Sequence, residues 1–504
     1  MSNIRRQSII SSVIVYFGFA LGFVNTYLYT KEGTFTEAQY GLVNIFIAIA
    51  NIMFAFANLG MHSYIYKFYP YYKDNLPTRK NDLLTWALTC ASFGFIIIIF
   101  IGYLIRDLVV QKYITNAPDL VTYYMWLFPF GFGLTIFSIL EAYAWQERMS
   151  VVTNFLREVL FRLFSTLLIV LFFAGIIPLF SVFIKIYAGT YMLLALVLAA
   201  YLIVKGKISF TFSISRVTKK FYKKILALVS FVWGGGLVFT VAQVFDTLVI
   251  AAVVPNGLFY VGVYSLAQNI ASLIQAPQRG IISAAMGPLS RAWKDKDMGK
   301  LARIYQRSSI NQLIFSVGMF CILFMNFTDG IETFSMKEGY TLALPAFFFI
   351  GIMRILDMGT GLNAQIISTS TYWRFEFFTG LVLLALTMPL TYLLTKKYGV
   401  TGPAISNLIT FTIYNTVRCA FLWKKTKMQP FSTKTFLAII AGVGAYAVCY
   451  LLFAEKRGIE WIISRSLAFI ALYGAAVYFL KLTPDLLHVI DSVKRRKRNR
   501  AQKE

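Results

Sequence analysis

The third apolar segment of the chain reads Phe95-Ile96-Ile97-Ile98-Ile99-Phe100-Ile101, with no polar residue at any position. A transmembrane barrel strand would instead alternate polar and apolar side chains over about ten residues. Only α-helices and closed barrels satisfy their backbone hydrogen bonds inside a lipid bilayer. This stretch, and others like it along the chain, therefore predict an all-α, polytopic membrane protein.

The overall composition agrees with a membrane location. Of the 504 residues, 58% are hydrophobic and 14% are charged, with a mean hydropathy of +0.66, whereas soluble domains carry about 25% charged residues. The 4 Cys and 2 His exclude a disulfide-rich secreted module and argue against a His/Cys metal site. The sequence contains no phosphate-loop motif and no credible catalytic triad. We therefore expect a protein that is not an enzyme and that needs no cofactor.

We predict about 14 transmembrane helices, because each crossing needs about 20 mostly apolar residues. The predicted spans are residues 9–29, 40–61, 83–105, 121–144, 153–176, 178–203, 225–253, 259–282, 308–328, 341–361, 375–394, 401–422, 435–454 and 461–481. The first span is longer than a signal-peptide core, and no small-residue cleavage site follows it. We expect it to be a retained helix.

Lysine and arginine are unevenly distributed over the predicted loops. If the N-terminus is cytoplasmic, about 33 of the 48 lie on the cytoplasmic side and about 8 on the other, as the positive-inside rule requires. This asymmetry explains the net charge of +26, places both termini in the cytoplasm and removes the need for a nucleic-acid partner. The basic tail at residues 494–500 is expected to attract anionic lipid headgroups.

The long basic loop between the sixth and seventh spans predicts two lobes. We expect an N-terminal six-helix lobe, a cytoplasmic linker, a C-terminal six-helix lobe, two additional helices and a basic tail, at residues 1–204, 205–224, 225–425, 426–481 and 482–504. A weak internal repeat supports this division. Tyr40-Gly41-Leu42 opens the second span, and Val261-Gly262-Val263 opens the eighth, at an offset of 221 residues.

A polar stripe accompanies the repeat. Asn44, Asn51 and Asn58 are seven residues apart and share one face of the second span. The offset carries these positions to three further polar residues, Ser265, Ser272 and Arg279. One interpretation is that the two stripes line a central cavity between the lobes. The alternative is that they form hydrogen bonds that only join neighbouring helices.

Charged side chains deep within a membrane span are costly and mark candidate functional sites. The deepest cations are Arg157, Arg162, Lys185 and Arg354. Arg162 lies four residues after Glu158, and Arg354 lies three residues before Asp357, so local ion pairs are the alternative for both arginines. Arg157 and Lys185 lack an obvious local partner. Surplus cations in an aqueous cavity would attract an anionic substrate, and phosphate or pyrophosphate is the natural candidate.

Three further features leave alternatives open. Asp246 either carries a proton or sodium ion in a coupling cycle or pairs with a cation on another helix. The preceding Gly234-Gly235-Gly236 predicts either a hinge or close helix packing. Arg279, Arg418 and Arg465 lie nearer the ends of their spans, so we expect them to snorkel towards the membrane surface.

Several stretches of the chain resemble the Wzx-type polysaccharide and oligosaccharide flippases of the multidrug/oligosaccharidyl-lipid/polysaccharide (MOP) transporter superfamily. The first is Phe35-Thr36-Glu37-Ala38-Gln39-Tyr40-Gly41. The others are residues 246–250 with 261–267, residues 288–293 with 301–305, and residues 397–404. Each motif is loose, but their order and spacing cover most of residues 1–425.

The resemblance implies two six-helix bundles around a central cavity, with two extra C-terminal helices. It implies a flippase that moves an undecaprenyl-pyrophosphate-linked oligosaccharide, an O-antigen or other surface polysaccharide unit, across the bacterial inner membrane by alternating access. The bilayer and this lipid-linked substrate are the implied partners, and a polysaccharide polymerase and ligase are candidate protein partners. The cationic cavity residues of the family bind the pyrophosphate, and we assign Arg157, Arg162, Lys185 and Arg354 to this role by depth.

Asn44, Asn51, Asn58 and Ser272 complete the candidate substrate-binding set, and Asp246 is the candidate ion-coupling residue. Three other functions remain open: a lipid II flippase, a multidrug or cation antiporter of the same superfamily, and a non-transporting scaffold of a polysaccharide synthase. An antiporter should favour acidic over basic cavity residues, and a scaffold should tolerate loss of the deep charges.

Overall fold

The computed structural model describes residues 3–483. Only the backbone is described at residues 3–9, 11, 12, 231, 232, 235, 238, 239, 279, 283, 284, 373, 376 and 377. The described residues form α-helices, short 3-10 turns and one π-helical segment, with no strand among them. The predicted all-α fold is therefore confirmed. The basic tail at residues 494–500 lies outside the described residues.

The chain divides into two compact units, Met1–Gly262 and Val263–Glu504. The helices of the first unit are α1 Asn3–Thr30, α2 Glu37–Ala57, α3 Met61–Asn75, α4 Leu83–Leu104, α5 Arg106–Tyr113, α6 Pro118–Thr122, α7 Leu127–Gln146, α8 Ser150–Asn154, α9 Phe161–Phe173, α10 Phe180–Ala188, α11 Thr190–Val204 and α12 Arg216–Val253. A further helix, α13 Gly257–Ser272, begins in the first unit and ends in the second. The lobe boundaries expected from the sequence stay a prediction.

The second unit contains the remaining helices. They are α14 Gln278–Lys294, α15 Met298–Met325, α16 Phe327–Thr333, α17 Ala343–Gly359, α18 Asn363–Ser368, α19 Trp373–Tyr398, α20 Gly402–Thr426, α21 Thr433–Phe453 and α22 Ile459–Phe479.

Each predicted span coincides with one helix or with consecutive helices. Within the described residues, 11 segments are long and apolar enough to cross a membrane, and one of them, Phe378–Thr426, contains both α19 and α20. The two other predicted spans correspond to α8 through α9 and to α12, which carry more charged residues. The expectation of about 14 membrane helices therefore fits the observed elements.

The start of α2 shows how the sequence sets a helix boundary. The Thr36 hydroxyl accepts a hydrogen bond from the Gln39 backbone N–H at 3.1 Å, and the Gln39 side chain accepts from the Thr36 N–H at 2.9 Å. This capping box satisfies two backbone donors that a helix start leaves unpaired. Leu59 and Gly60, both with positive φ, end α2 and redirect the chain into α3.

A reciprocal glycine contact joins α2 to the start of α13. A Cβ on Gly41 would lie 1.9 Å from the Leu258 carbonyl oxygen, and a Cβ on Gly262 would lie 2.3 Å from the Glu37 carbonyl oxygen. Only glycine permits so close an approach. The offset of 221 residues carries Glu37 to Leu258 and Gly41 to Gly262, so each partner meets the other's counterpart. This reciprocity supports the internal repeat seen in the sequence.

The predicted linker is fixed to the first unit by several hydrogen bonds. The Lys207 carbonyl accepts from the Tyr143 hydroxyl at 2.9 Å. The Ser215 backbone N–H donates to Asp82 at 2.9 Å, just before α12 begins. From there α12 continues as one helix through the glycine triplet. A Cβ on Gly234 or Gly236 would meet no described atom within 4 Å, so close packing does not require either glycine in this conformation.

Candidate functional site

The polar stripe of α2 continues onto α3. Asn44, Asn51 and Asn58 are half-buried, and His62 and Tyr66 follow at steps of four residues. Steps of seven residues keep the asparagines on one face of α2, and the step of four residues keeps His62 and Tyr66 on one face of α3. At the break between the helices, both the backbone N–H and the Nδ1 atom of His62 lie within hydrogen-bond distance of Asn58 Oδ1, at 3.2 and 2.8 Å. This contact joins the polar face of α2 to that of α3.

Asn44 and Asn51 bond to the backbone of their own helix. Asn44 Nδ2 donates to the Tyr40 carbonyl and Asn51 Nδ2 to the Ile47 carbonyl, each at 2.8 Å. These bonds do not join α2 to a neighbouring helix. These two bonds are therefore not the interhelical hydrogen bonds of the alternative interpretation.

The candidate cation Arg157 lies within a π-helical segment, Phe155–Leu160, between α8 and α9, and Arg162 lies two residues after it. Single π-turns within helices are rare and occur frequently at functional sites. Helix α1 packs directly on this segment: a Cβ on Gly18 would lie 2.6 Å from the Glu158 carbonyl oxygen, and one on Gly22 would lie 3.1 Å from Arg162 Nε. The glycines of α1 thus leave room for Glu158 and for the Arg162 side chain.

Arg157 forms an ion pair with a residue that the sequence analysis did not single out. Its Nη1 atom lies 2.6 Å from Glu141 Oε2 on α7. The Arg157 side chain is 42% exposed and that of Glu141 only 4%, and Glu141 Oε1 is buried without a hydrogen-bond partner among the described residues. The carboxylate of the pair is therefore buried, and the guanidinium is partly exposed. We call Arg157–Glu141 the open pair. The two residues are 16 positions apart on different helices, so no local pattern could have revealed the pair.

Arg162 forms the local ion pair that the sequence offered as the alternative. Its Nη1 atom lies 2.8 Å from Glu158 Oε2, one helical turn earlier. Its backbone carbonyl accepts a hydrogen bond from Asn25 Nδ2 of α1 at 2.9 Å. The charges of the two arginines and two glutamates in this cluster cancel when all four are ionised. Arg157 is the more exposed of the two arginines.

Lys185 does not join this cluster. Its Nζ atom lies 5.8 Å from the ring centroid of Trp126, just before α7. Trp126 and Glu141 are 15 positions apart, which corresponds to about 22 Å along a helix. Phe183 and Ile184 of α10 are buried whereas Lys185 is exposed, so its side chain points away from the packed face of its helix.

In the second unit, Arg354 lies on α17 three residues before Asp357, which accepts hydrogen bonds from side-chain amides. Asp357 accepts hydrogen bonds from Gln278 Nε2 at 3.1 Å and Asn415 Nδ2 at 3.2 Å. Asn415 in turn accepts from Asn363 Nδ2 at 3.0 Å. This network joins α14, α17, α18 and α20, and the sequence analysis identified only the i,i+3 spacing of Arg354 and Asp357.

Arg418 is close to this network and does not snorkel as expected. Its guanidinium carbon lies 3.7 Å from the Tyr414 ring centroid, its Nη2 donates to the Tyr414 hydroxyl at 2.5 Å, and the residue is buried. A cation over an aromatic face is stabilised by the ring quadrupole. The expectation that Arg418 reaches the membrane surface is wrong in this structure.

The remaining candidates are placed as follows. Ser272 ends α13 and donates to the Asn269 carbonyl at 2.6 Å. Asp246 is buried within α12, and the side chain of Arg279 is not among those described. No cluster of three or more His, Cys, Asp or Glu residues that could hold a metal occurs in the described part of the chain.

A buried ion pair in the second unit was also missed. Arg465 Nη2 on α22 lies 2.6 Å from Asp329 Oδ2 on α16, and both side chains are 8% exposed. Arg465 Nε donates to Asn326 at 2.9 Å, and Asp329 Oδ1 accepts from the Gly458 N–H and the Thr333 hydroxyl, each at 3.0 Å. The expected snorkelling of Arg465 is therefore wrong, because these partners hold it inside the unit.

The chain matches no family model and no curated protein, but it is similar to solved structures. One is the lipid II flippase MurJ in an inward closed conformation, with a TM-score of 0.72, 16% identity, and coverage of 95% of this chain and 100% of that one. Another is an inward-facing multidrug resistance MATE transporter of the MOP superfamily, with a TM-score of 0.61, 18% identity, and coverage of 83% and 97%. A third is a mutant of the Vibrio cholerae MATE transporter VcmN, with a TM-score of 0.51, 14% identity, and coverage of 85% and 98%.

The chain has the fold of the MurJ and MATE transporters. At these identities the likeness shows the fold alone, and the neighbours are transporters and flippases rather than enzymes. The fold that the resemblance implies is thus confirmed, and membership of the MOP superfamily stays a prediction. The assignment to the Wzx-type branch also stays a prediction.

Proposed function

We propose that the chain is a flippase that moves an undecaprenyl-pyrophosphate-linked oligosaccharide across the bacterial inner membrane by alternating access, with both termini in the cytoplasm. The observation that carries the proposal is the extent of the structural match. MurJ, itself a lipid flippase, aligns over 95% of this chain. The structural alignments cover almost all of each MATE transporter. They leave about a sixth of this chain without a counterpart. That remainder is the size of residues 426–504, which contain the two additional helices.

Arg157 is the proposed contact for the pyrophosphate. Glu141 neutralises its charge in the unliganded protein, which lowers the cost of a cation at this depth. The exposed side of the guanidinium still has donors for phosphate oxygens, which it can bind in a bidentate manner. Asn44, Asn51 and Asn58 are proposed to supply further polar contacts along one face of α2. Arg162 is proposed to hold α1 against the π-segment.

The second unit supplies the other proposed polar contacts. Arg354 and Ser272 lie half-buried there, and both keep their proposed role towards the substrate. Lys185 keeps a proposed contact only at the opposite end of α7, beside Trp126. A polysaccharide polymerase and a ligase are the proposed partners that act after export.

Mass spectrometry of membrane lipids from a strain that lacks this gene tests the proposal. Accumulation of an undecaprenyl-pyrophosphate oligosaccharide, with loss of the surface glycan, is the expected result and would identify the substrate. Normal lipids and a normal surface glycan would contradict it. Accumulation of a drug in the same strain, without a glycan defect, would instead indicate the antiporter, for which the buried Asp246 and the half-buried Asp357 are the structural argument.

Asp246 is the proposed ion-coupling residue. We expect the Asp246→Asn variant to insert normally, because it removes a charge and keeps the shape of the side chain. Export by the variant should lose its dependence on the proton or sodium gradient. An unaltered gradient dependence would remove Asp246 from this role.

A further inference from the structure

Two parallel aromatic rings lie next to the open ion pair. The ring planes of Tyr66 on α3 and Trp145 on α7 differ by 5°, and their centroids are 6.2 Å apart. Carbon atoms in contact are about 3.5–4.0 Å apart, so the rings must be displaced sideways. Displaced parallel rings lie in two planes, so each ring keeps part of one face uncovered by the other. Tyr66 is 38% exposed and Trp145 is 42% exposed. We call this pair the aromatic platform.

Both rings of the platform are held in place. The Trp145 indole N–H donates to Thr153 Oγ1 at 2.8 Å, and Thr153 donates to the Ser150 carbonyl at 3.1 Å. The Tyr66 ring packs edge-on against His62, with centroids 6.1 Å apart, and His62 is bonded to Asn58. Rings that are fixed before a ligand arrives lose little entropy on binding.

The platform adjoins the proposed phosphate contact. Trp145 follows Glu141 by four residues on α7, so both lie on one helix face about 6 Å apart along the axis. Tyr66 is within electrostatic range of both Glu141 and Arg157. A ligand with its phosphate on Arg157 would therefore place the next chemical group over the rings.

Sugars are the ligands whose chemistry fits such a surface. The C–H groups on one side of a pyranose ring form an apolar face, and the face of an aromatic ring carries negative charge density that attracts them. The hydroxyl groups at the edge of the sugar remain free for polar neighbours such as Arg157 and the asparagine stripe. Flat aromatic walls with a few convergent polar groups are typical of small-molecule sites.

We propose that the aromatic platform binds a sugar ring of the lipid-linked substrate while Arg157 binds its pyrophosphate. This inference rests on the proposed function and adds a specificity role to it: the platform distinguishes a glycosylated lipid carrier from the bare carrier. The platform belongs to the first unit alone.

The test compares two probes on the purified full-length chain. One is undecaprenyl pyrophosphate without sugar, and the other is the lipid-linked oligosaccharide extracted from the deletion strain. Native mass spectrometry gives the affinity of each probe. We expect the wild type to prefer the glycosylated lipid. Tyr66→Ala together with Trp145→Ala should weaken that lipid about tenfold, which matches about 1.4 kcal/mol, and should leave the bare carrier unchanged.

Matched variants make the result specific to the rings. Tyr66→Phe and Trp145→Phe keep a ring at each position and should retain the preference, even where an alanine variant is poorly folded. Tyr71→Ala removes another exposed ring of α3, which lines a separate cavity of 530 Å³ with Lys67 and Lys224. This control should bind both probes as the wild type does.

Four outcomes would overturn the proposal. Equal weakening of both probes would mean that the rings only support Arg157. Unchanged binding in the double alanine variant would mean that the rings anchor the protein at the membrane surface. Equal affinity of the wild type for the two probes would contradict the sugar site and leave the flippase standing, whereas binding of neither probe would contradict both.

Discussion

Two ion pairs in the molecule have the same length and different surroundings. Arg157–Glu141 in the first unit and Arg465–Asp329 in the second each have a nitrogen–oxygen distance of 2.6 Å. Arg465 and Asp329 are both 8% exposed, and three further hydrogen bonds involve Arg465 Nε and Asp329 Oδ1. In the first pair, the Arg157 side chain is 42% exposed, and Glu141 Oε1 has no hydrogen-bond partner among the described residues.

The comparison shows that distance alone does not distinguish a structural pair from a functional one. A buried pair with every donor and acceptor satisfied has no capacity left for a ligand. A pair with an open cation and an incompletely bonded acid still has that capacity. We therefore assign Arg465–Asp329 to stability and Arg157–Glu141 to the site.

The largest expected effect follows from breaking the closed pair. Arg465→Ala leaves the Asp329 charge buried without its partner, and such losses cost about 3–5 kcal/mol. We expect a large drop in thermal stability of the detergent-purified protein, measured by intrinsic fluorescence. Replacing both residues together, Arg465→Met with Asp329→Leu, should recover part of the loss. A single variant as stable as the wild type would contradict the structural assignment.

At the Arg157–Glu141 pair, we expect a smaller loss of stability than at Arg465–Asp329 and a larger loss of export. Arg157→Gln should reduce export about ten- to a hundredfold, the equivalent of the 1.5–3 kcal/mol of a charge-assisted hydrogen bond. The double variant with Glu141→Gln removes the uncompensated buried charge and should restore stability but not export. Surface-glycan complementation of the deletion strain measures export. Full export by the double variant would show that Arg157 only balances Glu141.

A third prediction concerns the packing that supports the open pair. Gly18→Ala would place a methyl group 2.6 Å from the Glu158 carbonyl oxygen, and overpacking of this kind typically costs about 1–3 kcal/mol. We expect lower thermal stability and reduced export. Gly474→Ala is the matched control, since its Cβ would meet no described atom within 4 Å and alanine suits a helix interior. Equal behaviour of the two variants would contradict the packing of α1 on the π-segment.

The smallest effect is expected at a third ion cluster, just beyond the end of α7. Glu147 pairs with Lys73 at 3.2 Å and with Lys207 at 2.9 Å, and it accepts a hydrogen bond from Tyr69. Burial alone would raise the pKa of Glu147, but the hydrogen bonds from Tyr69, Lys207 and Lys73 outweigh it and lower the pKa below its ordinary value. The two lysines are about half exposed, so the cluster should contribute modestly to stability.

The pH dependence of this contribution has a definite sign. Because the folded-state pKa is lowered, the stabilisation is complete above the ordinary glutamate pKa of about 4.3 and is lost as the pH falls through the folded value. Glu147→Gln should lower the melting temperature by a few degrees at pH 7. The difference from the wild type should shrink as the pH is lowered towards 3. A constant difference over this range would show that ionisation of Glu147 does not contribute.

The charged residues show how far the sequence could predict the site. Glu158 and Arg162 are one helical turn apart, so their pairing follows from helix geometry and was foreseen. Arg157 was identified by its depth, but its partner Glu141 lies on another helix. Arg418 was expected at the membrane surface, whereas Tyr414 holds it inside the second unit. Contacts between helices depend on packing, which periodicity does not reveal.

The sequence by itself determined the all-α membrane class and the positions of the spans, because both depend on the local density of apolar residues and on the length a bilayer requires. It also indicated the repeat, through Gly41 and Gly262. Only the tertiary structure decided which charges are paired, which amides surround Asp357, and that Tyr66 and Trp145 form one surface. Those arrangements join residues up to 136 positions apart, as in Arg465 and Asp329, and arise only when helices pack against each other.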